Sequence, residues 1–283
     1  AVAGLIDEVI ERANIGLALR ELLHNPLPGR FFDLIIDTQR VALASLVLHR
    51  ICHGAIVSPF AHFALSSRKP PRGYKFPRGM QRQLLDLLEV ATGIPQPTPS
   101  GLAIDIDPAL RDLAARLLPG GPVYVGLAPG AGGLPKCWPL ENFIALAKIQ
   151  LAAGRVPVFI LGPAEAGWDS KIQSHMQGAK FPLQEDEIGA RMGFAPELTI
   201  ALASRLALAV SNDSGTGHML AVGGAPMVSL YGRTVAEKFL PMTDRLTIVL
   251  VGDASVFAKQ LAGVGFDEVE RIPIAELDLS SAD

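Results

Sequence analysis

The sequence predicts an α/β protein built on parallel sheets, and three observations lead there. Apolar runs of strand length, at 31–36, 123–127, 156–161, 206–210, 227–231 and 246–251, recur between stretches of helical spacing, which is the pattern of βαβ units. The run 206–210, Leu-Ala-Leu-Ala-Val, is continuously apolar rather than alternating, as strands covered on both faces are. Four of the later runs end in polar or glycine-containing turns, where ligands bind in open parallel sheets.

The bulk composition narrows the class. The 283 residues suffice for one large or two ordinary domains, and with 49% hydrophobic residues core material is plentiful. A net charge of −3 gives no support to a broad nucleic-acid surface. The two cysteines, Cys52 and Cys137, make no disulfide framework and have no metal-ligand spacing. A reducing compartment follows. No apolar stretch is long enough to cross a bilayer, and residues 1–11 carry acids without the basic start of a signal peptide. The expected setting is cytoplasmic, with attachment to a membrane surface left open. There is no tandem repeat and no low-complexity tract.

In chain order, residues 5–24 are rich in Leu, Ile, Ala, Glu and Arg and read as helical, stopped by Asn25-Pro26 and Pro28-Gly29. The strand 31–36 runs into Asp37-Thr38-Gln39-Arg40 and a helix to about Ile51. Residues 55–78 read as irregular, with five Pro or Gly positions, and hold a basic group of Arg68, Lys69, Arg72, Lys75 and Arg78, with Arg82 just beyond. Residues 80–90 form an amphipathic helix with Leu84, Leu87 and Leu88 as its stripe. A traverse over 93–109 and a short helix over 111–118 follow. Pro119-Gly120-Gly121-Pro122 is the strongest punctuation, so the domains are drawn as 1–118 and 119–283. After it come the strand 123–127, a helix over 139–153 opened by Pro139 and Glu141, the strand 156–161, a helix over 198–205, and the strands 206–210, 227–231 and 246–251.

The chemistry concentrates in the turns of the latter half. Residues 128–138, Ala-Pro-Gly-Ala-Gly-Gly-Leu-Pro-Lys-Cys-Trp, put Gly130, Ala131, Gly132 and Gly133 two residues ahead of Lys136. Such a loop suits a diphosphate, with N–H groups on the oxygens and an ammonium against the charge. The Gly-Lys-Ser/Thr ending of a P-loop is absent, and a flexible loop with an exposed lysine fits equally. Glu165 follows the strand 156–161, either to accept from ribose or sugar hydroxyls or as an ordinary surface acid. Ser211-Asn212-Asp213 breaks the run 206–210. The turn Ser214-Gly215-Thr216-Gly217 then leads into a helix read from His218 to Val222, whose N-terminus offers N–H groups to an anion. Asp213 would repel an anion, so it accepts from hydroxyls or caps the helix together with Ser214. Tyr231-Gly232-Arg233-Thr234 follows the strand 227–231. His24, His49, His53, His62 and His175 join no cluster. Lying at one edge of one sheet, a glycine loop, a lysine and two acids fit a nucleotide diphosphate sugar.

These residues, in this order, resemble glycosyltransferase family 9, the ADP-heptose:lipopolysaccharide heptosyltransferases, over most of the chain. The resemblance rests on four segments. Phe32-Asp33-Leu34-Ile35-Ile36-Asp37-Thr38-Gln39 is similar to the family's Tyr/Phe-Asp-Leu-Val-Ile-Asp-Leu-Gln segment. Pro129-Gly130-Ala131 with Lys136, Trp138 and Pro139 is similar to its donor-phosphate loop. Asn212-Asp213-Ser214-Gly215 with His218 matches its most specific motif, and Leu230-Tyr231-Gly232 with Thr234 its Phe-Gly-Pro-Thr turn. The resemblance implies a GT-B architecture of two Rossmann-like domains, donor-binding in the C-terminal half and acceptor-binding in the N-terminal half. It implies Lys136 on the diphosphate, Glu165 on donor hydroxyls, Asp213 on the heptose, and Ser214, Gly215 and His218 around the phosphates. Gly130, Ala131, Gly132, Thr216 and Gly217 complete the expected donor site. Arg68, Lys69, Arg72, Lys75 and Arg78 would hold an anionic lipid-linked acceptor at the inner membrane surface. The implied reaction is an inverting transfer with ADP leaving, without metal or cofactor.

Three departures from the family are visible. Gly132 stands where Ser or Thr is frequent, Thr216-Gly217 where Pro-Met is usual, and Arg233 in place of a proline. Family members also open with a strand and a Gly-Asp loop whose aspartate resembles a general base, and no residue here matches it. The expectation is that the chain enters after that unit, that the first sheet lacks strands, and that donor binding exceeds turnover. Two alternatives stand beside heptose transfer: a family member with another donor or glycan acceptor, and a non-catalytic nucleotide-sugar binding protein.

Overall fold

The sheet that carries the predicted site is five-stranded and wholly parallel, in the order β4-β3-β5-β6-β7. Its strands are β3 (Tyr124–Ala128), β4 (Val156–Phe159), β5 (Leu208–Asn212), β6 (Met227–Tyr231) and β7 (Leu246–Leu250). They are drawn from a computed structural model, which describes residues 6–10, 15–16, 18–99, 104–133, 136–185, 196–232 and 238–250. The register places Ala128 beside Ser211 and Asn212 beside Leu230, so β3, β5 and β6 end at one edge.

Alternation along the strands builds a core on each face of this sheet. Val125, Leu127, Phe159 and Leu161 pack with Phe143, Ile144 and Ala147 of α4 (Leu140–Ala152) and Ile172 of α5 (Trp168–His175). Tyr124, Ala128, Val158 and Ile160 pack on the other face with Leu198 and Leu202 of α6 (Pro196–Ala203) and Leu220 of α7 (Gly215–Val222). Every residue of β3 is therefore buried, which is why the run reads as continuously apolar.

The chain divides between Thr98 and Pro99 into two units. The boundary expected at 118/119 is thus displaced. The helix α3 (Pro108–Leu117), assigned from sequence to the first domain, belongs to the second unit. Ile106, Ala114, Leu117 and Leu118 bury into its core, and Arg205 Nε donates to the Leu118 carbonyl at 3.0 Å. Pro119 to Pro122 is therefore a turn inside a unit.

The first unit has a two-stranded parallel sheet among its described residues, β1 (Phe31–Ile36) with β2 (Cys52–Val57). The helices α1 (Ala42–Leu48) and α2 (Met80–Thr92) accompany it. Strand β2 begins just past the end of the expected helix and runs into the stretch from residue 55 that the sequence read as irregular. Gly54 permits it, because a side chain there would press on the Asp33 carbonyl of β1. The helix expected over 5–24 reduces, among the described residues, to a 3-10 turn at Leu19–Leu23. The Glu21 carboxylate accepts from the Gly16 and Ala18 N–H groups at 2.7 and 2.9 Å and stops the turn from extending backwards.

Candidate functional site

The turns after β3, β4 and β5 converge at one end of the second sheet. Lys136 Nζ stands 3.8 Å from Asp213 Oδ2, with the lysine side chain 44% and the aspartate side chain 8% exposed. The turn after β3 thus meets the end of β5. On the opposite side of the same loop, Gly130 lies against the Glu165 carboxylate so closely that a β-carbon there would overlap it. Glu165 Oε2 also accepts from the Gly162 N–H at 2.8 Å, which holds the acid in the one-turn helix Pro163–Glu165. One loop therefore brings Lys136 to Asp213 and Gly130 to Glu165. Leu134 and Pro135 of that loop lie outside the described residues.

The end of β5 differs from the sequence reading. Ser211 and Asn212 do not break the strand but complete it, both buried, because β3 and β6 pair with them. The helix α7 then begins at Gly215 rather than at His218. Ser214 is its N-cap, with Oγ accepting from the Gly217 N–H at 3.3 Å. The stretch read as a small flexible turn is the first helical turn, and its N–H groups open beside Asp213. Gly217 is required by close packing, since a β-carbon would collide with Ser211 Oγ beneath it. Gly132, in contrast, has open space where a side chain would project.

Burial sets the protonation of the groups around Asp213. Desolvation holds the His218 imidazole below its ordinary range, opposed by the Asp213 charge. The ring is therefore neutral at neutral pH. Burial likewise pushes the Tyr231 phenol up to about 12, with Asp213 adding to the shift. Its hydroxyl donates to the Phe239 carbonyl at 3.0 Å. Arg233 and Thr234 of the turn after β6 lie outside the described residues.

Asn212 is the residue whose contribution the motif did not reveal. Its amide spans the glycine loop: Oδ1 accepts from the Trp138 N–H at 3.0 Å and Nδ2 donates to the Pro129 carbonyl at 2.7 Å. The available signal was a polar residue at the last, buried position of a parallel strand.

The basic stretch of the first unit is anchored by aromatic packing. Phe63, Tyr74 and Phe76 form mutual ring contacts, and the Arg40 guanidinium stacks 3.4 Å from the Phe76 centroid. Tyr74 donates to Asp86 at 2.5 Å, and burial together with this carboxylate raises its phenol. Arg82 is absorbed by Asp86 and Glu89, each at 2.6 Å, and Arg68 donates to the Ala91 carbonyl. Arg68, Lys69, Arg72, Lys75 and Arg78 are all exposed. At the end of β1, the buried Asp37 accepts from Ser45, Ser58 and the Gln39 N–H at 2.5, 2.8 and 2.8 Å, which fixes the turn leading to Arg40. The described residues contain no cluster of three His, Cys, Asp or Glu suited to a metal ion. No described helix is long and apolar enough to cross a membrane.

Comparison with known proteins places this geometry. The family model described as glycosyltransferase family 9 (heptosyltransferase) matches residues 21–261. Over 128 residues the chain is 29% identical to lipooligosaccharide heptosyltransferase 2 of Haemophilus influenzae, a stretch covering 44% of this chain and 36% of that protein. The chain thus aligns with about a third of that relative's length. The crystal structure of the glycosyl transferase family 9 from Veillonella parvula is 20% identical with a TM-score of 0.63, covering 83% of this chain and 67% of that one. E. coli ADP-heptose lps heptosyltransferase II gives 17% and 0.55, covering 82% and 76% of the two chains. E. coli heptosyltransferase WaaC with ADP gives 16% and 0.59, covering 86% and 75%. These likenesses show the fold, an α/β architecture of the GT-B class with parallel sheets.

Proposed function

The chain belongs to glycosyltransferase family 9, and from that membership we propose that it transfers a heptose from ADP-heptose to an anionic lipopolysaccharide-core acceptor, with inversion at the anomeric carbon. The observation that carries the reading is the meeting of Lys136 and Asp213 beside the N-terminus of α7, with Glu165 against the same loop. A cation and free N–H groups suit a diphosphate, and two carboxylates suit hydroxyls of ribose and sugar.

In this reading an acceptor hydroxyl attacks the anomeric carbon and gives up its proton to water as the bond to the diphosphate oxygen breaks. Negative charge grows on the departing ADP. Lys136 and the first N–H groups of α7 are fixed in place to receive it, and the step draws on no metal or cofactor. Asp213 directs the heptose and Glu165 the ribose. Before the donor arrives the Lys136 ammonium is held by Asp213. The diphosphate then takes over the ammonium and frees the carboxylate for sugar hydroxyls. The acceptor is held by the exposed basic stretch of the first unit, at the cytoplasmic face of the inner membrane.

The deciding experiment incubates the protein with ADP-heptose and a heptose-deficient core acceptor and follows product by mass spectrometry, alongside calorimetry with ADP, UDP and GDP. Transfer with preference for ADP is expected. Binding of UDP or GDP over ADP would reassign the donor, and ADP binding with no transfer to any core acceptor would reduce the protein to a binding module.

A further inference from the structure

We infer that Asn212 is the positioning residue of the donor site: its single amide closes the glycine loop at both ends and so sets where Lys136 stands. The inference rests on the donor reading above and adds to it a residue that touches no substrate.

The two hydrogen bonds leave no ambiguity about the amide. At one end it must accept, because Trp138 presents an N–H. At the other it must donate, because Pro129 presents a carbonyl and, being proline, no N–H. Only a group with an acceptor and a donor side by side satisfies both. Asn212 is buried, at 1% exposure, at the last position of β5. Its backbone is held by pairing with β6, so the side chain has a fixed base from which to reach.

Within the described part of the loop, the Lys136 N–H donates to the Gly133 carbonyl at 3.0 Å, the Cys137 thiol meets the same carbonyl at 3.6 Å, and the Cys137 sulfur also bonds the Ala131 backbone. Beyond Trp138 the chain is anchored by the ring contact with Phe143, 5.1 Å between centroids. Between those anchors Asn212 draws the loop onto the strand end, and the next residue, Asp213, meets Lys136 at 3.8 Å. Adjacent residues of β5 and its turn thus divide the work, one placing the loop and one receiving its cation.

The test uses the full chain and two variants, Asn212→Ala and Asn212→Asp. Calorimetric ADP affinity and hydrogen exchange of the Trp138 amide are measured across pH for each. Asn212→Ala should weaken ADP by about tenfold or more at every pH and expose the Trp138 amide to exchange. Asn212→Asp should do the same near pH 8, where its carboxylate faces the Pro129 carbonyl. Toward about pH 5.5 it should recover relative to the parent, since burial raises a carboxyl's pKa and the protonated acid again both donates and accepts. A merely structural role would give no such pH rescue. Parental ADP affinity and parental Trp138 protection in both variants would overturn the inference, as would an Asn212→Asp deficit that does not change with pH. Failure of the parent protein itself to bind ADP would strike the donor reading, and Trp138 exchange would still decide the clamp.

Discussion

Lys136 and Asp213 hold each other across 3.8 Å in the free protein, yet an ion pair with a half-exposed lysine contributes little to stability. Its value lies in what replaces it. Lys136→Met should change unfolding free energy by less than about 1 kcal/mol. ADP affinity should fall about 10- to 100-fold, the loss of one charge-assisted hydrogen bond to phosphate. Titration calorimetry beside urea unfolding separates the two effects, and a parallel loss of both would mean that the lysine is structural. His218 makes a different prediction. Its imidazole is half-buried and held below the usual range by desolvation, so the unfolded chain takes up a proton near pH 6.5 that the folded chain refuses. The folded state binds fewer protons there, and stability must fall as pH drops below about 6.5. His218→Gln should flatten the decline of Tm between about pH 7 and pH 5; a variant with the parent's slope would remove His218 from the account. The glycines of these turns differ in their surroundings: a β-carbon on Gly217 would meet Ser211 Oγ, whereas one on Gly132 would meet open space.

At the scale of elements, the parts legible in the sequence were those fixed by local physics. β3 is buried on both faces and carries no charged or hydroxyl-bearing aliphatic residue, and β6 is nearly as buried with Ser229 its one polar aliphatic side chain. The helix α2 forms where its spacing puts it and Gly93 at φ +74° ends it, but of the expected stripe only Leu87 is buried, beside Ala91, while Leu84 and Leu88 stay exposed. What was illegible depended on partners distant in sequence. β2 carries Cys-His-Gly at its start and reads as nothing in particular until β1 pairs with it. Ser211 and Asn212 look like a break, and only pairing with Ala128 and Leu230 makes them strand. The same dependence hid α3 in the wrong domain, since its core contacts lie with α6. Lys136, Glu165 and Asp213, which the structure brings to one loop, could be named from the sequence because lysine and acid at strand ends carry their chemistry locally, while the clamp by Asn212 needed the loop in three dimensions. The packing of α7 onto α6 gives the prediction at this scale. Gly223 caps α7, and a β-carbon there would press into the Ile200 carbonyl and the Ala203 side chain. Because the obstacle is helical backbone, it cannot swing aside. Gly223→Ala should therefore cost about 1–3 kcal/mol, seen as a lower urea midpoint at unchanged slope. A neutral outcome would show that the two helices can separate at no cost.

For the whole molecule, the division into two units assigns charge as well as chain. The net charge is −3, yet Lys69, Arg72 and Lys75 stand exposed in the first unit with no side-chain partner among the described residues, while Arg82 is consumed by Asp86 and Glu89. A stretch that holds its shape through Phe63, Tyr74 and Phe76 and leaves three cations to solvent is suited to an anionic surface, not to internal pairing. The residues proposed to hold the donor, by contrast, all belong to the second unit. Neutralising the three cations together, as K69Q/R72Q/K75Q, should therefore separate the two substrates. The KM for a phosphorylated core acceptor should rise about tenfold, with most of the difference lost at high salt, because exposed charges are screened over roughly 8 Å at physiological ionic strength. The KM for ADP-heptose and the Kd for ADP should stay at parental values, and so should Tm, since none of the three side chains is buried. Steady-state kinetics with each substrate varied in turn, at low and high salt, reads all of these. If ADP binding weakened in step with acceptor use, the units would not divide the substrates, and the basic stretch would belong to the donor side.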